Sequence, residues 1–265
     1  MNAERDPRSL MQAVAEVARV AGAAAMSVPH DRLAIETKAD GSPVTAADRE
    51  AERKARAWIE SRFGADGILG EEFGIVRPEA AWRWLIDPID GTKSFVRGVP
   101  LWGSLAAVAH GDRVIAGAAF FPALGELVTA AVGCGCWHQG TRCRVSEVAD
   151  LTQATVLITD DRFPRSTERR ESWKRLASAA ALSRTWGDCY GYLLVATGRA
   201  EVMADPLLAA WDSAPLIPII EEAGGVISDW QGSRAGFIES ALATNARLAG
   251  EVRRNLRVPT AADPA

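Results

Sequence analysis

A mixed α/β fold is predicted by three features of this 265-residue chain. Amphipathic helical stretches open it, apolar runs of strand length crowd the rest of its first half, and strands alternate with helical stretches in its second. The length suits one compact body with two lobes. We divide it near residue 140, into an N-terminal α/β lobe over 1–140 and a C-terminal α/β lobe over 141–265.

The elements follow in order. Residues 9–27 and 45–63 read as helices, the second with Thr45 as N-cap, Asp48 three residues later in its first turn, and Gly64 as its stop. Strands are predicted at "ILG", "WRWLID", "SLAAVAH" and "RVIAGAAFF", with "HGD" as the hairpin turn between the last two. Beyond the boundary come a strand at "TVLIT", a helix near 167–181, a helix from about Tyr190 to Thr197, a strand at "AEVMA" and a helix beginning at Asp212. Pro215 fits the first turn of that last helix. Pro218 lies deeper, where the missing N–H and ring clash cost roughly 3 kcal/mol and predict a kink.

Composition excludes several classes of function. With 48% hydrophobic and 24% charged residues and a net charge of -4, the chain is an ordinary globular protein without the basic excess of a nucleic-acid binder. The apolar runs near its start are far short of a membrane span, and the first segment reads as an amphipathic helix instead of a signal. Four cysteines without an export signal predict reduced thiols and a cytoplasmic setting.

The acidic residues carry the chemistry. "GEEF" holds Glu71 and Glu72, "DPIDGT" holds Asp87 and Asp90, and "AWDSAP" holds Asp212, each at the end or start of a regular element, where α/β proteins usually bind ligands. Five carboxylates gathered without a cation would repel strongly. Carboxylate oxygens without neighbouring His or Cys suit a hard divalent ion, above all magnesium. Pro88 holds Asp87 extended and helps re-aim the chain, so that Asp87 and Asp90 converge and the Ile89 carbonyl becomes available. Gly91 and Thr92 read as the start of a short helix whose free N–H groups can receive an anion. Metals and amides facing one oxyanion suit transfer of a phosphoryl group to water.

With G-E-E at 70–72, D-P-I-D-G-T at 87–92, and W-D with a following E-A-G-G at 211–225, the chain resembles the magnesium-dependent phosphomonoesterases typified by inositol monophosphatase. The resemblance implies the layered α-β-α-β-α sandwich of the inositol monophosphatase/fructose-1,6-bisphosphatase type, two or three Mg2+ ions and a homodimer. It implies metal ligands at Glu71, Asp87, the Ile89 carbonyl, Asp90 and Asp212, and phosphate-binding amides at Gly91 and Thr92. "VTAAD" matches the segment whose aspartate bonds the motif threonine, so Asp48 and Thr92 would activate the attacking water, with Glu71 as the third catalytic residue. Lys38 falls where the family often has an entrance-loop lysine.

Within that family the chain has Ser94 before Phe95, where the inositol branch usually has asparagine. "VRGVPLWGSLAAV" and "RTWGDCYGYLLVATGRAEVMADPLLAAWD" resemble instead the branch that hydrolyses L-histidinol phosphate in histidine biosynthesis. That substrate carries an ammonium group and an imidazole, which carboxylates would hold. Asp188 and Asp205 are the candidates, with Arg184 and Trp186 as wall residues. Asp205 sits where inositol phosphatases generally carry a glutamate that touches substrate, so Asp188 discriminates better between the branches.

Blander readings compete. Asp212 alone could be a helix cap and Glu72 a solvated acid. "CGCWHQGTRC" lacks the C-x2-C spacing of a zinc knuckle and reads as a glycine-rich hairpin with cysteines as small apolar fillers. His30 and His110 lie in apparent turns. An inositol or broad sugar-phosphate or nucleotide phosphatase remains the alternative enzyme, and a non-catalytic binding protein on the same scaffold would have damaged motifs, which this chain lacks.

Overall fold

Asp6 starts the first helix. Its carboxylate accepts the N–H groups of Arg8 and Ser9, Pro7 takes the first helical position, and α1 (Pro7–Ser27) buries Leu10, Val14, Val17, Ala18, Ala21 and Ala25 along one stripe. The computed structural model describes residues 5–29, 33, 35–37, 43–163, 166–234 and 236–256. Strands β1 (Ile35–Thr37) and β2 (Pro43–Thr45) form a small antiparallel ribbon that leads into α2 (Ala46–Phe63). Thr45 caps α2, and Asp48 completes the capping box by accepting the Thr45 N–H at 2.8 Å, with Gly64 at the C-cap.

The first-half strands are β3 (Gly67–Gly70), β4 (Gly74–Val76), β5 (Trp82–Asp90), β6 (Gly103–His110), β7 (Arg113–Phe121), β8 (Glu126–Ala131), β9 (Gly135–His138) and β10 (Thr141–Arg142). They make one eight-stranded sheet in the order β10-β9-β8-β7-β6-β5-β3-β4, antiparallel except for the β3–β5 pair. The "HGD" turn holds, His110 pairing with Arg113 across Gly111 and Asp112. Strand β6 is buried at every position but its last, as expected of a strand covered on both faces.

A second sheet of five strands has the order β12-β11-β13-β15-β14, from β11 (Thr155–Ile158), β12 (Leu182–Arg184), β13 (Val202–Asp205), β14 (Val226–Ser228) and β15 (Ala241–Thr244). Its helices are α4 (Thr167–Ala179), α5 (Asp188–Ala196), α6 (Ala210–Glu222) and α7 (Ala249–Leu256), while α3 (Thr92–Phe95) belongs to the first sheet's loops.

Three cores separate the layers. One joins α1 and α2 to a face of the large sheet, a second seals α5 and α6 between the other face and the small sheet, and a third packs α4 and α7 on the small sheet's far side. The result is the α-β-α-β-α order that the family resemblance implies. Two helix starts differ from expectation: α5 begins at Asp188, and α6 begins at Ala210, two residues before Asp212. Pro215 is therefore the sixth helical residue, past the first turn, and α6 runs through both Pro215 and Pro218.

Candidate active site

The strand β5 does not stop at Asp87 but carries the D-P-I-D stretch to its end. On a regular strand, side chains three residues apart point to opposite faces. Here Asp87 pairs with Leu105 and Asp90 with Gly103, three steps on β5 against two on β6, so a bulge at Pro88 and Ile89 cancels the alternation. Asp87 Oδ1 accepts the Ile89 N–H at 2.9 Å, and the Ser104 hydroxyl donates to the Pro88 carbonyl at 2.6 Å, which fixes the bulge. Gly91 follows with φ 86°, where a Cβ would also crowd Asp188 Oδ2 at 3.0 Å, and α3 begins.

Helix α6 delivers the third acid. Asp212 is its third residue, and its Oδ2 accepts the Ala209 N–H at 2.8 Å. Carboxylate oxygens of Asp87, Asp90 and Asp212 lie within 4.8 Å of one another, which is a spacing that can hold a metal ion. Glu71, just beyond β3, acts on the Asp87 carboxyl as a neighbouring acid that disfavours its ionisation. Its turn is held from below by Glu52, a fully buried residue of α2 whose carboxylate accepts the N–H groups of Glu72 at 2.6 Å and Phe73 at 3.2 Å. Arg56 neutralises Glu52 at 2.7 Å. A Cβ on Gly70 would run into the Glu52 carboxylate, so glycine there is required by close approach.

Asp48 reaches the cluster from the start of α2. One carboxylate oxygen closes the capping box and the other lies 3.5 Å from the Thr92 hydroxyl, which also donates to the Ile89 carbonyl at 3.0 Å. The electrostatics are those of acids taken out of water. Burial, then Glu71 and Asp212, pushes Asp87 well above the usual carboxylate range; burial, then Asp188 and Asp212, does the same to Asp90. Burial raises Asp212 to about 7 and also raises Asp48. A hard dication fits this all-oxygen donor set, because it would offset the repulsion that otherwise favours protonation.

A cleft of about 740 Å³ is lined by Asp90 and Asp212. Asp188 and Asp205 both line it. Asp188 takes the αL conformation, with φ 49°, and its N–H donates to the Thr159 hydroxyl at 2.8 Å. The next amide, of Cys189, donates to Asp90 Oδ2 at 2.5 Å, so the start of α5 braces that acid of the cluster directly. Asp205 is buried, accepts the Tyr192 hydroxyl at 3.0 Å, and is raised to about 7 by burial; burial raises Asp188 to about 6, against the opposing charge of Lys93.

Arg184 does not join them. It is exposed on β12, an edge strand, where its guanidinium bonds the Ser183 carbonyl at 2.8 Å and lies over the Trp186 ring, so neither residue lines the cleft. Lys38 and His30 lie outside the described residues, and Glu72 contributes its amide to the Glu52 clasp. Sequence reasoning missed Glu52, Thr159 and Tyr192. The signal for Glu52 was its position four residues after Asp48, on the same face of α2. Lys93, one of only four lysines, proves to line the cleft.

The family model for the inositol monophosphatases matches residues 6–257. The chain belongs to the inositol monophosphatase family. Among its relatives is a histidinol-phosphatase of Chlorobaculum parvum, 43% identical over 203 residues that make up 77% of this chain and 78% of that one. A histidinol-phosphatase of Mycobacterium tuberculosis is 37% identical over 229 residues, 84% and 88% of the two chains. The solved structure of an extragenic suppressor protein from Bartonella henselae superposes with a TM-score of 0.88 at 25% identity, covering 94% of this chain and 98% of that one. The family's enzymes are metal-dependent, and this member is a phosphoric monoester hydrolase. Among the described residues, no helix is long and apolar enough to cross a membrane.

Proposed function

We propose that the chain is a magnesium-dependent histidinol-phosphatase, releasing L-histidinol and phosphate in histidine biosynthesis. The observation that carries this reading is the convergence of Asp87, Asp90 and Asp212 beside a cleft that Asp90 and Asp212 line together with two further acids, Asp188 and Asp205. The likeness to histidinol-phosphatases supports the choice of ester. Glu71, Asp87, the Ile89 carbonyl, Asp90 and Asp212 would hold two or three Mg2+ ions. Bound there, magnesium supplies charge neutralisation at the phosphoryl oxygens and an acidified water.

The chain's own groups do the rest. Amides of Gly91 and Thr92 hold the phosphate. The Thr92 hydroxyl, turning from the Ile89 carbonyl toward Asp48 Oδ1, donates to that carboxylate and uses its lone pair to orient the attacking water. Glu71 accepts from the same water. Asp188 and Asp205 face the cationic end of the substrate; a polyol's hydroxyls can also donate to a carboxylate at the Asp205 position, so the preference for a cation rests on Asp188. The same reading carries a homodimer and a cytoplasmic setting.

The test is phosphate release from L-histidinol phosphate, inositol 1-phosphate and adenosine 3′,5′-bisphosphate, with magnesium and then with chelator. Histidinol phosphate should lead by kcat/KM, and chelation should abolish turnover. Equal or faster hydrolysis of inositol 1-phosphate would overturn the choice of substrate, and turnover that survives chelation would overturn the metal assignment.

A further inference from the structure

The hairpin of β9 and β10 holds a pair of thiols outside the site. Its two turn residues, Gln139 and Gly140, have φ of 51° and 75°, as a type I′ turn requires. That turn sets the register: His138 faces Thr141 and Trp137 faces Arg142. The next rung sets Cys136 opposite Cys143, whose N–H donates to the Cys136 carbonyl at 3.0 Å. Opposed residues of a hydrogen-bonded antiparallel pair lie about 5.5 Å apart at Cα, close to the commonest spacing across a disulfide. The side chains share a face of the hairpin, and the two sulfurs are 3.2 Å apart.

We propose that Cys136 and Cys143 form a reversible dithiol–disulfide site, oxidised by small-molecule disulfides. Cys143 is half-buried and reachable, whereas Cys136 is 0% exposed in the core beneath α5 and α6. The contact with Cys136, with Arg199 adding its charge, holds the Cys143 thiol below its ordinary value; the same contact and burial push Cys136 up. Cys143 is therefore the attacking sulfur and Cys136 the resolving one.

In the first step the Cys143 thiolate attacks one sulfur of the reagent. A mixed disulfide forms, the reagent's S–S bond breaks, and the expelled thiolate takes up the proton that Cys143 lost. Cys136 then attacks Cys143 Sγ, the mixed disulfide breaks, and the second reagent thiol leaves with the Cys136 proton. Two protein thiols are oxidised by two electrons, and one small disulfide is reduced to two thiols.

The other cysteines stand apart. Cys134 packs toward the α1 side of the large sheet, and Cys189 is buried beside Asp90, where burial and that carboxylate push its thiol well up.

The experiment exposes the full chain to oxidised glutathione, alkylates the remaining thiols, and maps peptides without reduction. The expected product has lost the mass of two hydrogens, links Cys136 to Cys143 within one chain, and returns to free thiols with dithiothreitol. Cys143→Ser should abolish the link, and Cys136→Ser should stop at a glutathione adduct on Cys143. Alkylation of both Cys136 and Cys143 after oxidant treatment of the folded chain would overturn the proposal, as would a link through Cys134 or between copies. Because Cys143→Ser alters a half-buried position, its circular dichroism should match that of the parent chain, and it carries the test even where Cys136→Ser fails to fold.

Discussion

Asp90 is held in place by a donor and pressed by acids at the same time: the Cys189 amide donates to it, while Asp188 and Asp212 repel its charge. Replacing it with Asn removes one charge from a buried cluster without changing its shape. Asp90→Asn should therefore lower phosphate release by about 100-fold or more, yet melt in chelator no lower than the parent, as read by a phosphate assay beside a thermal scan. Glu52 acts one layer further out, on the turn that carries Glu71. Glu52→Gln keeps the volume but puts an amide where two backbone N–H groups need an acceptor, and Mg2+ affinity measured by calorimetry should fall by about 10–100-fold. The acids of the cluster were legible in the sequence because hard-oxygen ligands recur at element ends with recognisable neighbours. Glu52 was not, since within "DREAERKAR" a glutamate resembles a solvated helix face, and only its period with Asp48 points inward. Arg184, read as a wall residue, is not among the residues that line the cleft, and nothing local in the sequence separates an edge strand such as β12 from the cleft's wall.

Two elements decide whether those acids meet: the bulged end of β5 and the start of α6. The run "WRWLID" announced β5 and Pro88 pointed to a re-aimed chain on which Asp87 and Asp90 converge, but the bulge through which they meet is a matter of pairing with β6. The start of α6 was misplaced for a related reason. Ala209 at its N-cap has no capping side chain, and the cap is made in reverse by Asp212 accepting the Ala209 N–H, so an acid of the buried cluster also caps its own helix. Helix α6 reaches the large sheet over Gly117, where a Cβ would run into the Pro215 carbonyl. Gly117→Ala must push α6 away from β7. Overpacking of this kind should cost about 1–3 kcal/mol in a urea melt, and Mg2+ affinity should fall with it because Asp212 rides on the displaced helix. A variant that loses stability but binds Mg2+ as before would mean that α6 pivots about its N-terminal end.

At the scale of the whole molecule, the alternation of helices and strands announced a mixed α/β fold, while the layered order came with the family resemblance that the motifs carry, and its consequence is electrostatic. Several layers meet around one cleft, so acids from β5, α5, β13 and α6 are buried together instead of lying on separate surfaces. Without a cation the folded state favours their protonated forms: Asp212 and Asp205 sit at about 7 and Asp188 at about 6, against an ordinary 3.8. Groups raised in this way contribute stability that is full below their ordinary value and is lost as pH rises through the folded value. The chelated protein should accordingly lose Tm between about pH 5 and pH 8. On the proposed assignment magnesium would take the place of the protons on Asp87, Asp90 and Asp212 in the folded state, so it should raise Tm more at pH 8 than at pH 5.5, in proportion to the carboxylates it must deprotonate. Differential scanning calorimetry at both pH values, with and without Mg2+, reads this directly. A magnesium-induced shift that is equal at both would mean that the ion binds acids already ionised, away from the buried cluster.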